Sequence, residues 1–226
     1  MIVEVGESQS KRIFGLVLCG GQSRRMGSDK GLREHKGKIW AQIVSSVMQQ
    51  AGLDVYISIR EEQTAAYQKY FSPDKLITDN TQLAIDGPMT GLVSAHEKFP
   101  ENDWLTLACD MIDMDRLILM SLITAYASEP GFYFYITGNP QDKGRYEPLC
   151  AIYTSRGLSR ISAKKIDLHD FSLARSALFD NCYILHITRN AGRFLKNYNT
   201  EKEYQNHKTE IDPDVDAKND PDQAAT

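Results

Sequence analysis

The chain has 226 residues, of which 42% are hydrophobic and 25% charged, and this composition excludes wholesale disorder, a collagen-like chain and a disulfide miniprotein. The length suits one ordinary domain or one large α/β unit with a core of its own. The formal net charge of −4 speaks against a general nucleic-acid binder, although much of the excess acid lies in residues 210–226, where Glu210, Asp212, Asp214, Asp216, Asp220 and Asp222 outnumber Lys218.

From Ile13 the chain alternates strands and helices. IFGLVL (13–18) is a continuous apolar run ending at Gly20–Gly21, as a buried parallel strand does. A helix is predicted over 39–51, with Ile43, Val44, Val47 and Met48 on one face and Gly52 past its end. VYISI (55–59) reads as a strand, 61–70 as a polar surface helix, and KLIT (75–78) as a strand leading to Asp79. Pro88 opens a helix that runs to Lys98, WLTLA (104–108) is a strand ending at Cys109–Asp110, and 117–126 is helical. FYFYI (132–136) and EPLCAIY (147–153) read as strands joined by the turn-rich TGNPQDKGRY. Helical patterns at 157–165 and 172–179 precede a strand, CYILHI (182–187), and a last helix starts at Thr200, where Thr-Glu-Lys-Glu forms a capping box. The acidic, aromatic-free residues 208–226 have too little apolar surface to offset their ordering entropy. The expected layout is therefore a 1–12 extension, one domain over 13–207 and a disordered tail.

This order calls for a three-layer α/β/α fold, a mostly parallel sheet with helices on both faces. Ligands bind such sheets beyond the carboxyl ends of the strands, where Gly20–Gly21, Asp79 and Asp110 fall. Cys19, Cys109, Cys150 and Cys182 form no CxxC pair and read as small buried thiols of a reducing compartment. No apolar run approaches the ~20 residues that cross a bilayer. The opening MIVEVGESQSKR places its charges after the apolar stretch, unlike a signal peptide. A cytoplasmic protein without membrane or nucleic-acid partners is expected.

The chemistry concentrates in LCGGQSRRMGSDKG (18–31). Gly20 and Gly21 let the backbone turn sharply and offer bare N–H groups. Arg24, Arg25 and Lys30 follow within a few residues and suit a guest of high negative charge density, such as a triphosphate. The spacing is neither a Walker A loop nor GxGxxG. Asp110, directly after a strand, suits Mg²⁺ held beside phosphate oxygens, and equally a helix N-cap or turn. Asp79 also fits an ordinary turn.

LCGGQSRRMGSDK closely resembles the L-x-G-G-x-S-x-R-M-G-x-D-K signature of the molybdenum cofactor guanylyltransferases, which are nucleotidyltransferases of glycosyltransferase-A-like, nucleotide-diphospho-sugar transferase-like fold. VYISIR, LITDNTQLAIDGPMTGL, LACDMI, EPLCAIY and NYNTEKEY resemble further elements of that family over about 13–205. The resemblance implies that Leu18, Cys19, Gly20 and Gly21 border the nucleotide, with Ser58 and Asp79 as further contacts. It implies that Arg25 and Lys30 hold phosphates and that Asp110 binds Mg²⁺. Asn197 and Asn199 match a late motif that touches metal or substrate in the family, and they also suit a loop before the helix cap. Ile112 and Met89 stand where the family has proline and leucine. The implied reaction moves GMP from Mg-GTP to molybdopterin cofactor, with transient contact to cofactor-delivery or molybdoenzyme proteins. The rivals are a CTP-dependent or other NTP transferase and, because of Ile112, a non-catalytic nucleotide or cofactor carrier.

Overall fold

The computed structural model describes residues 13–20, 29–83, 87–127, 129–137, 145–163, 182–188 and 191–211. The strands are β1 (Ile13–Leu18), β2 (Glu34–His35), β3 (Lys38–Ile39), β4 (Asp54–Ile59), β5 (Leu76–Thr78), β6 (Asp103–Ala108), β7 (Phe132–Thr137), β8 (Arg145–Tyr153) and β9 (Cys182–His186). The helices are α1 (Trp40–Gln50), α2 (Thr64–Tyr67), α3 (Pro88–Lys98), α4 (Arg116–Ala125), α5 (Ser155–Ala163) and α6 (Glu201–Ile211). Seven strands form one sheet in the order β5-β4-β1-β6-β8-β7-β9. Every pair in it is parallel except the two made by β8, which runs antiparallel to both β6 and β7.

The two-residue side-chain period divides the core. Val17, Val55, Ile57, Ile59, Leu105 and Leu107 face one side, where Val44 and Met48 of α1 and Leu119 and Leu122 of α4 cover them. Leu16, Leu18, Tyr56 and Trp104 face the other, under Met89, Leu92 and Val93 of α3 and Leu158 of α5. The result is the expected three-layer α/β/α arrangement. Each fully buried side chain of this size stabilises the fold by roughly 1.5–3 kcal/mol. The FYFY run is sheet core, with Phe132, Tyr133 and Phe134 fully buried.

The predicted and observed elements differ at three places. The segment 61–70 is a 3₁₀ turn (Glu61–Gln63) followed by one short helix, and it buries Gln63 and Tyr67 instead of lying wholly at the surface. The hairpin β2–β3 was not expected. Its turn places Lys36 at φ 51° and Gly37 at φ 75°, the positive pair that a two-residue hairpin loop needs, so Lys-Gly was the local signal for it. Finally, α6 runs to Ile211, past the boundary expected at His207. The capping box starts it: Glu203 N–H donates to Thr200 Oγ1 (3.2 Å), while Glu203 Oε2 accepts from Asn199 and Thr200 N–H. The buried Tyr204 then packs on Trp40 and Tyr198, and backbone hydrogen bonds propagate onward. The helix expected at 172–179 lies outside the described residues.

Candidate nucleotide site

The sheet ladder continues past the carboxyl ends of its strands and thereby sets the positions of the site residues. Cys19 N–H donates to Ser58 O (2.9 Å), Cys109 N–H to Leu18 O (3.2 Å) and Asp79 N–H to Ile59 O (2.8 Å). The first residues beyond β1, β5 and β6 are thus held in register around a cavity of about 200 Å³. Leu18, Cys19, Gly20, Lys30, Ser58, Asp79 and Asp110 all line it. Gly21 and Arg25 lie outside the described residues. The N-terminus of α3 completes the wall with Gly87, Pro88 and Gly91, and its N-cap, Gly87, is a glycine with no side chain to cap the helix.

Lys30 Nζ donates to Asp110 Oδ2 (2.7 Å) and to Asn199 Oδ1 (2.9 Å). The lysine is aimed by the residue before it. Asp29 Oδ1 accepts from Gly31 N–H and from the Tyr67 hydroxyl, both at 2.9 Å, and Asp29 Oδ2 accepts from Gln63 Nε2. Burial pushes the Tyr67 phenol far above its usual range, so it keeps the proton it donates. The approach is so close that a Cβ on Gly31 would lie 2.1 Å from the Tyr67 oxygen. Gln63 Nε2 also reaches Cys19 O (3.3 Å), which ties the lysine turn to the end of β1.

Asp110 is buried, and its Oδ1 has no hydrogen-bond partner. Burial pushes its carboxyl upward against the opposing pull of the Lys30 ammonium. An unpartnered buried carboxylate oxygen facing a cavity is costly unless something positive meets it. Among the described residues no group of three or more His, Cys, Asp or Glu could hold a metal. A cation here would therefore rest on Asp110 together with oxygens of a ligand, which fits Mg²⁺, an ion usually held by one or two carboxylates plus phosphates and water. Ile112, in the proline position, is partly buried between the main core and the Trp40–Tyr198–Tyr204 cluster. Tyr198 N–H donates to Asp110 O (3.3 Å), so packing and a backbone bond hold this loop without a proline. The Cys109 thiol is pushed well up by its hydrogen bond with Cys19 and by burial, which leaves no thiolate nucleophile there.

On the opposite wall, the Ser58 hydroxyl donates to Asp79 Oδ1 (2.9 Å). Burial raises the Asp79 carboxyl to about 6, with the Ser58 bond opposing the rise. The space is tight: a Cβ on Gly20 would lie 2.3 Å from Asp79 Oδ2, and one on Gly91 2.1 Å from Ser58 Oγ. Between its unfolded value near 3.8 and about 6 the folded Asp79 binds the extra proton, so its contribution to stability is lost as pH rises through that window. Asp79→Asn keeps the acceptor for Ser58. It should raise unfolding free energy by about 1–2 kcal/mol at pH 7, discounted for partial exposure, with the gain gone near pH 4. Urea midpoints at the two pH values measure this, and a gain that persists at pH 4 would contradict the assignment.

Three participants were not evident in the sequence. Gln63 and Tyr67 belong to a segment that reads as polar surface, and Leu149 reaches the cavity only because β8 runs antiparallel and starts at the carboxyl edge of β6. Asn199, a candidate for either role, combines them: its side chain meets Lys30 and its N–H meets the capping Glu203.

The profile of the MobA-like NTP transferase domain matches residues 15–180. The chain belongs to this family. A probable molybdenum cofactor guanylyltransferase from Geobacillus sp. is 28% identical over 177 residues, covering 78% of this chain and 86% of the relative. The molybdenum cofactor biosynthesis bifunctional protein of Synechocystis sp. is 30% identical over 158 residues. That match covers 70% of this chain but 44% of the Synechocystis protein, so this chain spans less than half of that relative's length. Among solved structures, the molybdopterin-guanine dinucleotide biosynthesis protein A of Archaeoglobus fulgidus superposes with a TM-score of 0.64 at 17% identity. It covers 89% of this chain and 99% of its own, and it shares the fold. As a MobA-like NTP transferase the protein is a nucleotidyltransferase, and its cavity lies within the matched segment except for Asn199. No helix among the described residues is long and apolar enough to cross a membrane.

Proposed function

We propose that the protein transfers GMP from Mg-GTP to the terminal phosphate of molybdopterin cofactor and releases pyrophosphate. The observation that carries this reading is the convergence of Lys30, Asn199 and the unpartnered Asp110 oxygen on one side of a cavity whose other side holds Ser58 and Asp79. The name of the Geobacillus relative supports guanine as the base.

In this reading the Asp79 carboxylate, with Ser58 beside it and bare glycines opposite, accepts from the nucleoside. Lys30 leaves its pair with Asp110 to meet the triphosphate, and Arg25 is assigned a second phosphate contact. Asp110, together with oxygens of the nucleotide, would hold Mg²⁺, which would supply charge neutralisation on the phosphates. An oxygen of the acceptor phosphate forms the new bond to the α-phosphorus. The bond from that phosphorus to the bridging oxygen breaks, and its electron pair leaves with pyrophosphate. The attacking phosphate is already anionic, so no strong general base is required, and positioning with charge stabilisation carries the rate.

Pyrophosphate release from purified protein, Mg²⁺ and acceptor, run in parallel with GTP and CTP, tests the proposal. Release with GTP at least ~10-fold above CTP is expected. The reverse preference assigns a cytidylyl transfer, and tight nucleotide binding without turnover assigns a carrier.

A further inference from the structure

We propose that Cys19 and Cys109 form a reversible modification site, in which hydrogen peroxide joins the two thiols in a disulfide that disables the nucleotide cavity. The pair belongs to the wall of that cavity whichever base enters it, so its chemistry is independent of the GMP-transfer reading above.

The sheet brings the two thiols side by side. Strands β1 and β6 are parallel neighbours in which Leu18 pairs with Ala108. The next residue on each strand is a cysteine, and Cys109 N–H donates to Leu18 O (3.2 Å), so the register holds one step further. In-register residues on adjacent strands lie about 4.8 Å apart, inside the roughly 4.4–6.8 Å between Cα atoms that a disulfide spans. Both side chains pack in the core on the α1 and α4 side, and the Cys109 thiol is hydrogen-bonded to Cys19. The Tyr67 hydroxyl, bonded to Asp29, meets the Cys19 sulfur as well. A bare glycine leaves this sulfur its room, since a Cβ on Gly31 would lie 3.2 Å from Cys19 Sγ. All four cysteines are free thiols. Cys150 is fully buried and Cys182 lies on β9 at the far edge of the sheet, and neither lines this cavity.

The cavity of about 200 Å³ admits a molecule as small as hydrogen peroxide. Cys19 Sγ attacks one peroxide oxygen, so that an S–O bond forms and the O–O bond breaks. The departing hydroxide takes the Cys19 proton and leaves as water. Cys109 Sγ then displaces the remaining oxygen: the S–S bond forms, the S–O bond breaks, and that oxygen leaves as a second water with the Cys109 proton. The sulfur pair is oxidised, the peroxide is reduced, and a dithiol reductant reverses the change. The new bond ties together the residues immediately before Gly20 and Asp110, and it thereby shifts the glycine turn and the carboxylate from their places on the cavity wall.

The test treats the full chain with hydrogen peroxide, alkylates it and digests it without reductant, while Mg-GTP binding is titrated in parallel. Mass spectrometry is expected to find a peptide that links Cys19 to Cys109 and forms more slowly when Mg-GTP fills the cavity. Affinity for GTP should fall at least ~10-fold on oxidation and return with dithiothreitol. That fall should vanish in Cys109→Ala and persist in Cys182→Ser. Absence of the linked peptide, a link through Cys150 or Cys182 in its place, or an unchanged rate with the cavity filled would overturn the proposal. So would a linked protein that binds GTP as tightly as the reduced one, or the same fall in Cys109→Ala. If the reduced protein binds CTP in place of GTP, the base assignment fails, and the same fall read with CTP still supports the bridge.

Discussion

Asp110→Asn is expected to lower pyrophosphate release at saturating GTP by at least ~10³-fold, about 4 kcal/mol of transition-state stabilisation. The substitution preserves shape, and its amide oxygen can still accept from Lys30. The buried Oδ1 position that has no partner in the free protein loses its charge or becomes an N–H₂ donor. A donor cannot ligate a cation, so the loss should fall on kcat and on metal dependence rather than on folding. Thermal unfolding should shift little. Burial already raises the Asp110 carboxyl against the pull of Lys30, so removing the charge offsets part of what losing the ion pair costs. Turnover retained within a few-fold would mean that another residue holds the metal.

Lys30→Ala should weaken Mg-GTP binding by roughly 10–100-fold, or about 1.4–2.8 kcal/mol, as measured by calorimetric titration. Two effects compete in this variant. Removing the ammonium abolishes a phosphate contact, but it also leaves Asp110 buried without its partner, and Mg²⁺ can then occupy that charge more readily. The first effect dominates at saturating Mg²⁺, where the metal fills Asp110 in both proteins and only the phosphate contact differs. At low Mg²⁺ the variant should lose free-protein stability as well, since its unpaired carboxylate stays uncompensated. Unchanged GTP affinity at saturating Mg²⁺ would refute the phosphate role.

The Asp29 clamp explains why the effect of Lys30 should be specific. With Gly31 N–H, Tyr67 and Gln63 all bonded to Asp29, the backbone at residue 30 is fixed before any nucleotide arrives. Less ordering entropy then remains to be lost on binding. The same clamp shows where local pattern reading falls short. Glu61, Glu62, Thr64, Gln68 and Lys69 make 61–70 look polar, and nothing in their spacing reveals that Gln63 and Tyr67 turn inward to an aspartate 34 and 38 positions earlier.

The local readings were accurate where a single element determines them. Pro88 and Lys98 bound α3 as expected, the apolar runs at 13–18 and 104–108 are central strands, and Thr200 with Glu203 caps α6. The glycine turn and the two aspartates could be assigned to the carboxyl edge because parallel strands all end on the same side. The insertion of β8 between β6 and β7 could not be read in this way. FYFYI and EPLCAIY show which residues are apolar, but not that the second strand would also pair with β6 and carry Leu149 to the site.

The amino-acid order alone therefore determined the layered α/β class, the strand ends and the polar residues stationed at them. Periodicity and capping are set by neighbours a few positions apart, which share one helix face or one side of a strand. Only the folded chain decided that Lys30 meets Asp110, 80 positions away, and Asn199, 169 positions away, or that one Asp110 oxygen remains unpartnered. Contacts at such separations depend on strand order and on the docking of α6 against Trp40, and these follow from the packing of the whole core rather than from any short segment.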